Sequence, residues 1–303
     1  MIRSLRLLAF SLLFVVGACA RAQVAGTFDR TLNVGEPLEL DVQTGSGSVE
    51  IRAGAAGKVE VHGEIRVGGW KVSGADEIVD KIKASPPIEL DGKRLQIGRL
   101  DEAFWRNNVS ISYTIVAPAA TQVRSRTGSG TQTASGLAGP VVLESGSGSV
   151  TLTDIGGAAE VRTGSGSINA HGIGGAFTGS AGSGHIEVVQ TGHGDVAAST
   201  GSGSVELKGV DGGARVRTGS GSVTADGKPT GPWELDTGSG SVHVRVAADA
   251  AFTIDAKAGS GGVRTSQAVT VVGDLERGQL QGQVRGGGPT VRIRTGSGGI
   301  NID

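Results

Sequence analysis

The sequence predicts an all-β protein wound as a single-chain β-solenoid of about ten coils, with a period of 18 to 19 residues and a short helix in an N-terminal cap. Three observations predict it. A Gly-Ser-Gly tripeptide starts at Gly45, Gly128, Gly146, Gly164, Gly182, Gly201, Gly219, Gly238, Gly259 and Gly296, and from Gly128 onward the intervals are 18, 18, 18, 19, 18, 19, 21 and 37 residues. Apolar and polar residues alternate on both sides of each tripeptide. Glycine supplies 54 of 303 residues, yet 37% of the chain is hydrophobic, enough apolar material for a core.

In chain order, residues 1–22 read as an export signal, in which Arg3 and Arg6 precede the apolar stretch 7–16 and small residues follow. Two cleavage readings stay open. Val16-Gly17-Ala18-Cys19 resembles a lipoprotein box, with the signal ending at 18 and Cys19 lipidated, whereas Ala20-Arg21-Ala22 suits ordinary signal peptidase. Either way the mature chain has no cysteine pair, so its core and backbone ladders must hold it.

Residues 23–126 are expected to form a β-rich cap. Strands are expected at 59–67, 88–90, 95–97 and 109–116, the last with Val109, Ile111, Tyr113 and Ile115 on one face. Residues 75–84 read as a helix, with Ile78, Val79 and Ile82 on one side and Pro86-Pro87 beyond its end. An atypical terminal unit suits a solenoid, whose open end would otherwise pair with other chains.

Residues 127–303 carry the repeat, continuous with the cap. Three and five places before each tripeptide stand inward candidates such as Leu143, Val161, Leu235, Phe177, Trp233 and Val291, separated by polar residues. Four and six places after its first glycine stand Val150, Ile168, Val205, Leu152, Val188 and Val263, again separated by polar residues. Each repeat is therefore strand, Gly-Ser-Gly corner, strand and return turn. The return glycines at 156–157, 174–175 and 212–213 are expected to provide positive φ.

One coil cannot cover its own apolar side, so coils stack, about 4.8 Å apart. The 37-residue interval, close to two periods, suggests that residues 274–288 replace one corner with a looser turn. Stacking in sequence order brings Thr127, Thr163, Thr200, Thr218, Thr237 and Thr295 into a hydroxyl ladder. It also sets Arg126, Glu144 and Arg162, and likewise Arg217, Asp236 and Lys257, in columns of alternating sign.

The pattern resembles a bacterial adhesin-type domain family of unknown function, the Toastrack domain. The resemblance rests on the export signal, the strand ending Ile115-Val116-Ala117-Pro118, corners such as Thr163-Gly164-Ser165-Gly166-Ser167-Ile168, and the closing Thr295-Gly296-Ser297-Gly298-Gly299-Ile300. It covers nearly all of the mature chain. It implies a β-solenoid of the cell envelope, acting in adhesion or in sensing envelope stress, with no catalytic residues to transfer. Family corners often carry Asp where Ser48, Ser149, Ser167, Ser204, Ser222 and Ser241 stand here.

The residues themselves set several chemistries aside. A net charge of -1 and 3% aromatic residues lack the basic surface and stacking platforms of a nucleic-acid binder. A calcium β-roll needs carboxylates after its glycines, and only Gly194-Asp195-Val196 approaches that. His171, His185, His193 and His243 fall in different columns, so they predict no metal site. No corner opens a helix, as a nucleophile elbow would require. Trp70, Trp105 and Trp233 could stack on sugars but read as core.

No catalytic, cofactor or metal residue is therefore expected, and the corner glycines read as structural. The leading functional expectation is a non-enzymatic exported protein of the periplasm, outer membrane or cell surface, an adhesin candidate or scaffold binding an envelope protein or glycan. Cys19 offers a possible lipid anchor in the membrane. The alternative is an envelope-stress sensor with a membrane partner; a polysaccharide lyase or hydrolase comes last. Oligomeric state is left open.

Overall fold

The computed structural model describes residues 24–68, 75–99, 109–271 and 277–303. The export signal, Cys19, Trp70 and Trp105 lie outside the described residues. The chain begins with β1 (Val24–Asn33), β2 (Glu39–Thr44), β3 (Val49–Gly54), β4 (Lys58–Val67), α1 (Ala75–Ala84), β5 (Ile88–Asp91), β6 (Arg94–Ile97) and β7 (Val109–Pro118). The regular coils follow as β8 (Gln122–Thr127), β9 (Gln132–Ser135), β10 (Val141–Ser145), β11 (Val150–Ile155), β12 (Ala159–Thr163), β13 (Ile168–Ile173), β14 (Phe177–Ala181), β15 (Ile186–Gln190) and β16 (Val196–Thr200). Two long strands, β17 (Val205–Ser220) and β18 (Val223–Ser239), run through return turn and corner alike. The chain closes with β19 (Val242–Val246), β20 (Phe252–Ala258), β21 (Val263–Thr265), β22 (Val269–Val271), β23 (Gln279–Val284), β24 (Thr290–Ser297) and β25 (Ile300–Ile302).

These strands form two stacks that meet at the Gly-Ser-Gly corners. The pre-corner stack contains β2, β8, β10, β12, β14, β16, the ends of β17 and β18, then β24 and β20, all parallel and in register. The post-corner stack runs β7, β3, β9, β11, β13, β15, the starts of β17 and β18, then β19, β25 and β21. Strict alternation puts Leu143, Val161, Leu235, Val150, Ile168 and Val205 into one continuous core, each at most 1% exposed. Trp233 is inward too, its indole N–H donating to Gly212 O at 3.0 Å. Val263, on the last coil of its stack, is only half-buried because, among the described residues, no further coil covers it.

The cap is made of the expected elements plus β1, whose residues carry no strict alternation to announce it. β1 pairs antiparallel with β4, and β4 with β7, so the post-corner stack opens on an antiparallel sheet. The helix places Val79 and Ile82 in the core beside β1, with acids in its first turn and lysines in its last. The boundary expected at 126/127 falls inside β8, and β2 and β3 already form a coil in register with the next.

Stacking order departs from sequence order at both ends. β6 and β7 lie outside β2 and β3, although they follow them by dozens of residues, so the Gly45 coil is held between β6 and β7 on one side and β8 and β9 on the other. At the other end β24 and β25 insert between the coil of β18 and β19 and the coil of β20 and β21. The 37-residue interval is therefore not two periods along one ladder. Residues 279–284 instead return as β23, antiparallel to β20, and β22 pairs with β23 to close that end.

This order also corrects the charge columns. Lys257 stands opposite Arg294, not Asp236, and Asp236 is the residue opposite Arg294. The first column is as expected: Glu144 bonds Arg126 at 3.1 Å and lies 3.7 Å from Arg162.

Two further expectations change for reasons of geometry. The six column threonines from Thr127 to Thr295 do not bond one another; each donates to the second corner glycine of the coil beneath. Thr163 Oγ1 donates to Gly148 O at 2.9 Å and accepts from Gly166 N at 3.1 Å, and Thr218 and Thr237 donate to Gly203 O and Gly221 O at 2.8 Å each. Positive φ occurs instead eight places after the corner start, at Gly136, Asp154, Gly172 and Gly209. The return glycines serve close approach, since a Cβ on Gly157 would meet Gly139 O at 2.6 Å.

Candidate functional site

The corner glycines Gly128, Gly146, Gly164, Gly182, Gly201, Gly219, Gly238, Gly259 and Gly296 form a single column, in which a Cβ on any member would strike the carbonyl of the glycine beneath or beside it. The second glycine is tighter still, because a Cβ on Gly148 would overlap Gly130 O. Backbone bonds such as Ser147 N to Gly128 O, at 3.1 Å, carry the ladder through the corner. Corner amides such as those of Gly146, Gly164, Gly182 and Gly201 are engaged in this ladder, which directs ligand recognition to the outward side chains of the two stacks.

On the pre-corner stack those side chains change character along the axis. β10 and β12 present Glu144, Glu160 and Arg162, tied together by the Arg162 pairs with Glu160 and Glu144. β17, β18, β24 and β20 present a second network, with Arg215 and Arg217 at 3.0 and 3.6 Å from Glu234 and Asp255 at 2.6 Å from Arg294. Between them, β14 and β16 present only Thr178, Ser180, Ala197 and Ser199, with Ser199 Oγ donating to Ser180 Oγ at 3.3 Å. The arginines on each side bond away from this gap. The result is a low step two strands wide, about 10 Å, crossing the face.

Two hollows open on the step. One, of about 620 Å³, is lined by Ser180, Ser199, Thr200, Arg217 and Asp236; the other, of about 750 Å³, by Thr178, Asp195, Ala197, Arg215 and Glu234. Partial burial, then the neighbouring Glu234, pushes the Asp236 carboxyl above its usual range against the pull of Arg217. Asp255 is the reverse case: burial pushes its carboxyl up, but the bonds and charge of Arg294 and Arg292 outweigh this and hold it low. Asp195 is occupied structurally, accepting from Gly213 N at 2.8 Å.

The model of the family described as Toastrack DUF4097 matches residues 37–303. The chain belongs to the Toastrack family. Two solved structures resemble this Toastrack chain: an adhesin candidate from Bacteroides fragilis, 14% identical, covering 92% of this chain and 97% of that one with a TM-score of 0.40, and a cell-adhesion candidate from Clostridium sporogenes, 13% identical, covering 91% and 99% with a TM-score of 0.19. No curated protein matches the sequence. Among the described residues, no helix is long and apolar enough to cross a membrane.

The histidines of the Toastrack chain fall where the columns place them. His193 lies 3.4 Å from Asp211 in a return turn, and His243 lies beside Asn301 and Asp303. His185 is different, because pairing of β15 with β17 brings it together with Glu187 and Glu206. A search for histidine columns misses this group. The signal that finds it is one histidine two residues from a glutamate, with a second glutamate one coil later.

Proposed function

We propose that this Toastrack chain is a non-enzymatic binding scaffold, exported to the cell envelope, that holds a glycan across the step on its pre-corner face. The observation that supports this reading is the step itself: hydroxyls and a methyl on the floor, flanked by ion-paired arginines and carboxylates. A sheet face offers no free backbone donors or acceptors, so an extended peptide finds no ladder to join there. A polyhydroxylated chain suits it better, because each sugar hydroxyl can both donate to carboxylates and accept from guanidinium groups and serines. With no aromatic on the floor, binding is weak at one step.

Titration of the purified chain with envelope polysaccharide fragments tests this. Ala197→Arg and Ser199→Arg, which fill the step from its exposed side, are expected to weaken binding at least tenfold. No binding by the unaltered chain, or equal binding by both variants, contradicts the proposal, and capture of an envelope protein through the same residues replaces glycan with protein as the partner.

A further inference from the structure

We propose a second site on the post-corner face: a place for one zinc-type divalent ion held by His185, Glu187 and Glu206. Glu187 and Glu206 stand directly opposite each other in the parallel pair of β15 and β17, and His185 lies on the same face two residues before Glu187. One potential ligand atom from each of the three lies within 4.8 Å of the others, and all three residues are half-buried. Neighbouring strands lie about 4.8 Å apart, so two carboxylates placed directly opposite repel unless a cation joins them.

In the metal-free chain that cation is Lys208. Its Nζ stands 3.0 Å from Glu187 Oε1 and 2.9 Å from Glu206 Oε1, while its side chain is 45% exposed and free to swing outward. The bond from Lys208, opposed in part by burial, holds the Glu187 carboxyl below its usual range, and the charges of His171 and His185 act in the same direction. The ammonium does not reach His185, so the imidazole remains available.

The donor set selects the ion. One imidazole nitrogen and two carboxylate oxygens suit a borderline ion such as zinc, with a fourth position left to water. Calcium, which takes six to eight oxygens, finds too few here. Small rotations of the three half-buried side chains bring the donors to bonding distance. Lys208 then competes directly with the metal for both carboxylates.

Calorimetric titration of the full, untagged chain with Zn²⁺, and separately with Ca²⁺, tests the site, with Co²⁺ absorption reporting the geometry of the bound ion. One Zn²⁺ per chain is expected, weakened at least tenfold by His185→Ala and by Glu206→Gln, unaffected by His193→Ala, and tightened severalfold by Lys208→Gln. Lys208→Gln is also expected to lower the melting temperature without metal and to regain it when Zn²⁺ is added. Zinc binding that survives both His185→Ala and Glu206→Gln, the absence of Zn²⁺ binding by the folded Lys208→Gln variant, or Ca²⁺ binding as tight as Zn²⁺ overturns the proposal.

Discussion

The middle of the solenoid and its two ends solve the same problem differently. From residue 141 to 246 each coil lies on the one before it in sequence, and a corner threonine reaches a carbonyl only 15 or 16 residues away. At the ends the reach grows: Thr44 Oγ1 bonds Ile111 O across 67 residues and Thr295 Oγ1 bonds Gly240 O across 55. The middle can therefore assemble coil upon neighbouring coil, whereas each end closes only when a distant segment takes its place. Antiparallel pairs then finish what parallel stacking leaves open, with β1 and β4 at one end and β23 and β22 at the other.

The largest effect that would sharpen this contrast comes from removing residues 290–303. Val291, Ile293, Ile300 and Ile302 are buried in the inserted coil, and each contributes roughly 1.5 to 3 kcal/mol. Truncation is expected to strip hydrogen-exchange protection from 252–265 as well, since that coil loses the strands it rests on, while 122–200 stays protected.

Within the middle, Gly148→Ala is expected to cost about 3 kcal/mol in chemical denaturation, because the stacked corner backbone has nowhere to move. Gly262→Ala, at a position with open space around it, is the matched control and is expected to change stability by less than about 0.5 kcal/mol.

The threonine column offers a smaller, two-sided test. Thr163→Ala removes both corner hydrogen bonds and is expected to cost about 1 to 2 kcal/mol. Ala181 occupies the same column without a hydroxyl, between Thr163 and Thr200, so Ala181→Thr is expected to gain about 1 kcal/mol. Equal, near-zero effects of the two substitutions would remove the corner hydroxyl from the account.

The smallest effect is electrostatic. Asp255 has a depressed pKa in the folded chain, so its contribution is present above the ordinary aspartate range and is lost as pH falls through the folded-state value. Asp255→Asn is expected to lower stability by about 1 kcal/mol at pH 7 and by nothing once both forms are protonated. Asp236, with its raised pKa, has the opposite sign: Asp236→Asn is expected to be neutral or stabilising at pH 7, with the difference vanishing on acidification.

The alternation around residues such as Leu143 and Val150 made the coil legible from sequence, because burial on a pleated strand has a strict two-residue period. The place of residues 290–302 was not legible, since its corner looks like every other and parallel neighbours share one pattern whatever their order. The role of Thr163 was half legible: its column was clear, but its partner is a carbonyl, which side-chain patterns do not record. The candidate sites were least legible, being made by residues from separate coils whose spacing only the register fixes, as with Glu187 and Glu206 or Ser180 and Ser199.

Disulfide trapping tests the inserted coil most directly. Ser239 and Ser297 are exposed partners on adjacent strands, within the Cα separation of about 4.4 to 6.8 Å that a disulfide spans, whereas Ser260 lies one coil further away. In a Cys19→Ser background, Ser239→Cys with Ser297→Cys is expected to oxidise readily in the folded monomer, and Ser239→Cys with Ser260→Cys is expected to stay reduced. Efficient closure of the second pair and none of the first would show that the coils stack in sequence order and would contradict the inserted C-terminal coil.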